Sequence, residues 1–148
     1  ELKKRILYEG TWENGKWNGE GETWLTTEFR RWKIYSGGFK DGKKHGRGTE
    51  FRTNQNLAKI YEGEWREGKA HGKGTQFHYY DDGGTPPVRY VGDWEAGKYH
   101  GIGTLFREDG TKEYQGEFIN GERDYGIEYN RNGNIFPNSN ENELRGGL

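Results

Sequence analysis

Four segments of the 148-residue chain share the glycine and lysine spacing of a phosphate-binding loop. The pattern Gly-x-x-x-x-Gly-Lys places backbone N–H groups around a phosphate and directs the lysine to the outer phosphates. The matching segments are Gly10–Lys16, Gly37–Lys43, Gly63–Lys69 and Gly92–Lys98. A hydroxyl residue must follow the lysine to coordinate Mg²⁺. The residues found there are instead Trp17, Lys44, Ala70 and Tyr99. We therefore expect these segments to form tight turns and to bind no nucleotide.

Three histidines occupy equivalent positions after these lysines, at His45, His71 and His100. Imidazole is the commonest metal-binding side chain, so a row of histidines suggests a metal site. If each repeat is a two-stranded unit, equivalent positions lie roughly 10 Å apart, whereas the ligands of one zinc ion lie ~2 Å from it. The sequence therefore predicts no shared metal site, and we expect each imidazole to pack beside its own turn.

Groups that can act in nucleophilic or acid–base catalysis are few. The chain has no cysteine, which excludes a thiol nucleophile, a disulfide framework and a thiolate metal site. Its two serines are Ser36, inside a predicted strand, and Ser139, in an asparagine-rich tail. Asp81 and Asp82 are neighbours in a predicted turn and do not face each other as a catalytic pair would. We predict that the chain is not itself an enzyme and has no cofactor.

The glycine–lysine pattern belongs to five internal repeats. They begin at Tyr8, Tyr35, Tyr61, Tyr90 and Tyr114, with spacings of 24 to 29 residues. Periods of this length are typical of stacked supersecondary units. The mean hydropathy of −1.30 and a hydrophobic content of 28% leave too few apolar residues for a thick core. An aromatic content of 16% nevertheless argues against disorder.

Each repeat has the pattern of a β-hairpin. Tyr61, Gly63 and Trp65 alternate with charged residues, which is the period of a half-buried strand. A turn such as Asn14-Gly15 follows, and the second strand has two bare positions, as in Gly72–Gly74, on which a neighbouring ring can lie. The sequence therefore predicts an all-β fold, a single-layer antiparallel meander of consecutive β-hairpins that forms a twisted sheet roughly 50 Å long.

The repeat consensus, Tyr-Glu-Gly-x-Trp-x-x-Gly-Lys-x-x-Gly-x-Gly, resembles the MORN repeat (membrane occupation and recognition nexus). Residues 8–106 carry four good copies, and residues 114–129 carry a degraded fifth in which Glu122 replaces the lysine. The period is longer than in the family, so we expect added residues in three of the hairpins between repeats. The resemblance implies an elongated sheet over residues 1–129 that ends in a capping repeat. The asparagine-rich composition of residues 130–148 predicts a tail that is mobile or is ordered only against a partner.

Ten aromatic residues recur on one predicted face of the sheet, which we call the aromatic face. They are Tyr8, Trp12, Tyr35, Phe39, Tyr61, Trp65, Tyr90, Trp94, Tyr114 and Phe118. We expect them to stack on one another, but a single layer has nothing to cover them, so exposed ring area would form an apolar stripe for a partner. Such a stripe suits an amphipathic helix, and the resemblance implies the same kind of ligand.

The lengthened connections between repeats, which we call the long hairpins, mix cations with aromatic rings. Their candidate residues are Arg30, Arg31, Trp32, Lys33, Tyr79, Tyr80 and Arg89. This mixture can bind an acidic peptide or anionic lipid. Residues 1–74 carry 16 Lys and Arg against 11 Asp and Glu, or +5, while residues 75–148 carry 7 against 13, or −6. Nucleic acid is not expected as a partner, because the net charge of −1 lacks the basic excess of such proteins.

The resemblance implies a non-catalytic scaffold, a protein–protein interaction module in a larger assembly of cytoskeletal or ciliary type, and hence a cytoplasmic, cytoskeletal or ciliary location. We expect one or more partner proteins to dock on the aromatic face and the long hairpins. Two alternatives stay open: a membrane-apposition module that binds anionic lipid, and an accessory domain of a larger enzyme. The chain begins at Glu1 rather than Met, so we expect it to be processed or part of a longer protein.

Overall fold

Ten antiparallel strands form one open sheet in the computed structural model, which describes residues 4–53, 57–79 and 84–136. Each strand pairs with its neighbours in sequence, so the order in the sheet is the order in the chain. The strands are β1 (Arg5–Glu13), β2 (Lys16–Thr26), β3 (Arg31–Lys40), β4 (Lys43–Phe51), β5 (Lys59–Arg66), β6 (Lys69–Phe77), β7 (Val88–Glu95), β8 (Lys98–Phe106), β9 (Lys112–Ile119) and β10 (Glu122–Glu128). The predicted all-β, single-layer meander of consecutive hairpins is thereby confirmed.

The chain reverses direction once more after β10. The side-chain oxygen of Asn130 accepts hydrogen bonds from two backbone N–H groups of the turn. The returning Phe136 then donates its N–H to the Glu128 carbonyl at 2.9 Å. Residues 130–136 of the predicted tail are therefore placed against β10, and residues 137–148 lie outside the described residues.

A two-residue turn joins the two strands of each repeat. Both turn residues have positive φ, 50° at Asn14 and 73° at Gly15 in the first repeat, which is the type I′ geometry that matches the twist of the flanking strands. From the second repeat onward, the turn glycine also donates its N–H to the preceding repeat, as Gly42 does to the Trp17 carbonyl at 2.9 Å. Neighbouring hairpins are therefore linked at their tips as well as along their strands.

The two glycines of each Gly-x-Gly have different physical roles. The first lies in a bulge, where three residues of the second strand face one residue of the first, and its φ is positive, 61° at Gly72. The second lies directly opposite a glycine of the first strand, as Gly74 lies opposite Gly63. One such glycine comes from every strand, and together they form a row across the sheet: Gly10, Gly21, Gly37, Gly48, Gly63, Gly74, Gly92, Gly103, Gly116 and Gly126.

The core lies on one face of the sheet because tyrosine rings cover this glycine row. A Cβ atom on Gly92 would lie 2.6 Å from the Tyr90 hydroxyl oxygen and 2.5 Å from the Cα of Gly103, which is closer than side-chain atoms pack. The buried cluster on this face consists of Tyr35, Phe39, Tyr61, Trp65, Ala70, Tyr90, Trp94, Leu105, Tyr114 and Phe118. A sheet of one layer thus has a core made of rings that lie on bare backbone.

We predict that Gly92→Ala destabilises the fold, although alanine normally favours folding over glycine by about 0.4–1 kcal/mol through the unfolded chain. The new methyl group collides with Tyr90 and the adjacent strand, and we expect overpacking to cost roughly 1–3 kcal/mol. Urea unfolding followed by far-ultraviolet circular dichroism measures this loss.

The matched control is Val91→Ala, one residue earlier, because Val91 is exposed on the opposite face of the same strand. We expect that change to cost under about 1 kcal/mol, within the range of strand propensities. A Gly92→Ala protein as stable as the parent would contradict the close approach of ring and backbone.

Candidate functional site

The rings of the aromatic face form a continuous ladder of edge-to-face contacts. Within a repeat, the ring centroids of Tyr61 and Trp65 are 5.0 Å apart with an interplanar angle of 85°. Tyr61 also contacts Trp94 of the next repeat, again at 5.0 Å and near a right angle. The same two contacts recur from the first repeat to the last. The tyrosines of the first four repeats therefore each join their own repeat to the next one.

The polar atoms of these rings are satisfied inside the sheet. The hydroxyl of Tyr61 donates to the carbonyl of Glu64 at 2.9 Å, and the other four repeats have the corresponding bond. The indole N–H of Trp65 donates to the carbonyl of Gly48 in the preceding repeat at 3.1 Å. The phenylalanines in the same position, Phe39 and Phe118, lack this donor and keep only the ring contact.

The residue after the turn lysine closes the aromatic face. Tyr99 stacks on Tyr90 with centroids 3.9 Å apart, and Trp17 stacks in the same way on the tyrosine of the first repeat. In the second repeat this position is Lys44, whose Nζ lies 4.9 Å from the Tyr35 ring centroid. In the sequence, this position stood out only because it lacks the hydroxyl that would bind Mg²⁺. It is aromatic or cationic in four of the five repeats, and that pattern could have indicated that its side chain covers the tyrosine ring.

Packing within the sheet leaves little of the aromatic face for a partner. Eight of its ten predicted residues are buried, from Tyr35 to Phe118. The exceptions are in the first repeat, where Tyr8 is partly buried and Trp12 is 59% exposed. No repeat precedes Trp12 in the described residues to cover its ring. The exposed apolar stripe expected from the sequence is therefore limited to this end of the sheet.

Two cations of the long hairpins already have partners. Arg31 forms an ion pair with Glu9 at 2.6 Å, and its guanidinium lies 4.0 Å from the ring centroid of Trp24. Lys33 forms an ion pair with Glu22 at 2.6 Å and lies over the same indole. Both charges are balanced within the sheet, so neither is a strong site for an anionic ligand.

The other predicted residues of the long hairpins differ in their exposure. Arg30 and Arg89 are exposed, and Trp32 is partly buried. The ring of Tyr79 is exposed and lies beneath the guanidinium of Arg52, at 4.8 Å. Tyr80 lies outside the described residues. Only the two arginines therefore offer charge to a partner.

The opposite face carries an open trough of about 820 Å³, which spans β2 to β7. Its lining includes Ser36, Arg47, Thr49, Glu62, Lys73 and Thr75. Most of these form one cross-strand row, in which Thr49 faces both Ser36 and Glu62. The trough exists because most side chains of this row are short and because the neighbouring glycine row has no side chains to fill the space. This surface cannot be identified from the sequence alone, because its residues form a row only through the strand register.

Two exposed cations, Arg47 and Lys73, line the trough. Arg47 faces Glu64 on the adjacent strand, yet it makes no ion pair in the described part of the chain. Glu64 instead accepts a hydrogen bond from the backbone N–H of Lys73 at 3.2 Å, and the Lys73 ammonium is paired with Asp93 at 2.5 Å. The trough therefore combines hydroxyl groups, bare backbone and the carboxylates of Glu20 and Glu62 with one guanidinium that forms no ion pair within the described residues.

Neither a metal centre nor a membrane-spanning helix is found in residues 4–53, 57–79 and 84–136. These residues contain no group of three or more His, Asp or Glu that could hold a metal ion. They also hold no helix with the length and apolar character needed to cross a membrane. The three equivalent histidines are partly buried at their own turns, and the Nε2 of His100 lies 3.2 Å from the Glu95 carboxylate.

We predict that the fold loses stability as the pH rises above 10. Burial raises the pKa of Tyr35, Tyr61 and Tyr90 above the ordinary value of 10.0. Above that pH the unfolded chain releases phenolic protons that the folded chain retains, so the unfolding free energy falls. Urea unfolding at pH 8, 10 and 11 measures the decline. Tyr61→Phe costs about 1 kcal/mol at pH 8 through its lost hydrogen bond but should show a shallower decline. Equal declines in the two proteins would contradict the prediction.

The comparisons with known proteins agree with this geometry. The family model of the MORN repeat matches residues 8–26, 35–56, 61–85, 90–112 and 114–124, which together cover more than half of the chain. A search of curated proteins finds no match. The five matches coincide with the five hairpins of the ring ladder. The chain belongs to the MORN repeat family.

Proposed function

We propose that the chain is a non-catalytic interaction module, a scaffold that binds a segment of a partner protein in the polar trough. MORN repeats are found in modules that contact proteins or membranes. The observation that carries the proposal is the contrast between the two faces. The aromatic face is closed by its own rings, while the opposite face has an open trough of about 820 Å³ with an unpaired guanidinium.

The trough suits a polar segment with an acidic side chain. The side chains of Ser36, Thr49 and Thr75 are short, so the main chain of a partner can approach the sheet and form hydrogen bonds with their hydroxyl groups. The trough crosses six strands, or roughly 24 Å, which is the length of about seven extended residues. Arg47 can bind a carboxylate through two parallel hydrogen bonds, which are stronger than those between neutral groups.

The surfaces proposed from sequence contribute less in this arrangement. The aromatic face can contact a partner mainly through Trp12, and the long hairpins mainly through Arg30 and Arg89. The alternative of an anionic-lipid module has weaker support, because Arg31 and Lys33 are paired with carboxylates. A cytoskeletal or ciliary assembly remains part of the proposal through the family alone.

We predict that peptides selected against the full chain from a displayed library carry Asp or Glu and lose affinity for Arg47→Glu. Fluorescence anisotropy measures their dissociation constants. The expected loss is about tenfold or more, since a hydrogen bond to a charged group contributes about 1.5–3 kcal/mol. A second variant, Thr49→Trp, fills the trough and should weaken binding without a change of charge.

The matched control is Arg66→Glu, which makes the same charge reversal at an exposed arginine outside both the trough lining and the long hairpins. It should leave binding unchanged, and circular dichroism verifies that all variants are folded. Binding that withstands both trough variants but fails in Arg89→Glu or Trp12→Ala would overturn the assignment to the trough. Salt-sensitive sedimentation with vesicles of anionic lipid, together with no peptide binding, would favour the lipid alternative.

A further inference from the structure

Five exposed apolar side chains lie on the opposite face of the sheet, in the fourth and fifth repeats. Each is next in the chain to a residue of the aromatic face or of the glycine row, so its own side chain is directed to the other side. Their exposed fractions range from 41% at Ile127 to 78% at Tyr125. We call this set the apolar patch, and its members are Val91, Ile102, Ile119, Tyr125 and Ile127.

The positions of the apolar patch are mostly charged in the earlier repeats. The residue between the two glycines of Gly-x-Gly is charged in the first three repeats, where it is Glu20, Arg47 and Lys73. It becomes Ile102 in the fourth repeat, and Tyr125 takes the equivalent place in the fifth. The residue before the turn is charged in the first four repeats and is Ile119 in the fifth. This face therefore changes from charged to apolar along the sheet.

The strand register makes the patch continuous. Val91 faces Thr104, which lies two residues from Ile102 on β8. Ile102 in turn faces Glu117 on β9, two residues from Ile119. The patch extends from β7 to β10, over three strand spacings or roughly 14 Å. Three of its strands, β7, β8 and β9, are paired on both sides, so most of the patch lies within the sheet. A contiguous apolar surface of this kind marks an interaction site.

Glu117 is an exposed acidic side chain in the middle of the patch. Its equivalent in the third repeat, Glu64, faces Arg47 on one side and accepts a hydrogen bond from the Lys73 N–H on the other. Glu117 faces Ile102 instead, and its carboxylate forms no ion pair within the described residues. The change from charged to apolar residues has therefore removed the cation that Arg47 supplies in the third repeat.

Two further acids make the patch negative toward the turn between β9 and β10. They are Glu122 and Asp124, both exposed, and neither forms an ion pair in the part of the chain that the structure describes. The cations of β8, β9 and β10 do not offset this charge. Lys98 and Arg123 lie beside carboxylates of their own hairpins, and Lys112 lies over an aromatic ring at the far end of β9.

We infer that the apolar patch binds a segment of a partner protein that carries large apolar side chains together with Lys or Arg. The apolar area supplies affinity in proportion to the surface that binding removes from water. The acids select the charge of the segment, because complementary charges across an interface exclude partners of the wrong sign. A segment without a cation would cover Glu117 and leave its carboxylate unpaired, which costs free energy.

Two other occupants fit this charge less well. A second copy that used the same patch would bring the three acids of both copies together, and like charges held close across an interface are unfavourable. Anionic lipid would meet the same acids, whereas lipid-binding surfaces are basic. The acidic border of the patch therefore favours a basic segment of another protein.

The patch and the trough are separate parts of one face. Val91 belongs to the lining of both, but the trough extends toward β2 and the patch toward β10. Their chemistry also differs, since the trough offers Arg47 to a carboxylate and the patch offers Glu117 to a cation. The inference therefore does not rest on the proposed function.

Binding of two matched peptides to the full chain tests the inference. The first is a short amphipathic peptide of leucine and lysine, and the second has glutamate in place of every lysine. Fluorescence anisotropy measures both dissociation constants. We expect the lysine peptide to bind at the patch and to bind more weakly as salt is added, because salt screens exposed charges. Any binding of the glutamate peptide should depend on Arg47 and not on Ile102.

Four variants locate the binding of the lysine peptide. Ile102→Ser removes apolar area from the patch and should weaken binding on the order of tenfold. Its matched control is Leu57→Ser, since Leu57 is 54% exposed outside the patch and Ile102 is 61% exposed. Glu117→Lys should also weaken binding by about tenfold, whereas Glu67→Lys, at an exposed turn of the third repeat, should not. Circular dichroism verifies that all four variants are folded.

Three results would contradict the inference. The first is no binding of the lysine peptide, and the second is binding that Ile102→Ser and Glu117→Lys leave unchanged. The third is an equal effect of Ile102→Ser on both peptides, because the patch would then not select charge. A dimer in sedimentation equilibrium that Ile102→Ser disrupts would assign the patch to a second copy instead. The effect of Arg47→Glu on the glutamate peptide concerns the trough alone, so the two proposals fail separately.

Discussion

The contact between a tyrosine ring and the bare backbone beneath it controls the rest of this structure. A single sheet has no second layer, so the only way to bury apolar area is to lay large side chains on the sheet itself. The glycine row makes room for this, because a Cβ at Gly48 or Gly74 would collide with the tyrosine above it. The tyrosines of the first four repeats also each meet an aromatic ring of the next repeat. Stability is therefore the sum of contacts between neighbours, as in other repeat proteins.

This arrangement also decides which face can bind a partner. The tyrosine hydroxyls and the indoles of Trp65 and Trp94 are satisfied within the sheet. In three repeats the residue after the turn lysine also covers the tyrosine ring from above. Few groups on a face that is closed in this way remain accessible to a partner. On the other face, the strands carry residues such as Thr49 and Thr75, which are too short to cover the backbone. The open surface therefore exposes backbone and hydroxyl groups, and the proposed binding there relies on hydrogen bonds and on Arg47.

Local patterns in the sequence were sufficient to predict the hairpins but not the surfaces. The strands and turns are specified by residues that are adjacent in the sequence. The alternation around Tyr61 predicts a strand, and the dipeptide Asn14-Gly15 predicts a tight turn. The burial of the rings depends on contacts between repeats, such as Lys44 over Trp65 at 4.3 Å. The pairing of Arg31 with Glu9 links β3 to β1, and no local pattern could indicate that it neutralises a predicted lipid contact.

The fifth repeat illustrates the same limit. The sequence pattern predicts a degraded copy here, but the register shows that Gly126 faces Gly116 and retains its place in the glycine row. The repeat lacks one residue of the bulge, since only two residues of β10 face Glu117 where three are found in the other repeats. A shorter bulge needs no glycine with positive φ.

The two ends of the sheet follow from the direction of the ring ladder. Within the described residues, the tyrosines of the first four repeats contact a ring of the next repeat, whereas Tyr114 has no later repeat to contact and Trp12 has no earlier one. At the C-terminal end, Arg123 covers Tyr114 at 5.2 Å and pairs with Glu113 and Glu128. At the N-terminal end, Trp12 has no such cover. A charged residue therefore covers the tyrosine of the last repeat, whereas the indole of the first repeat is exposed.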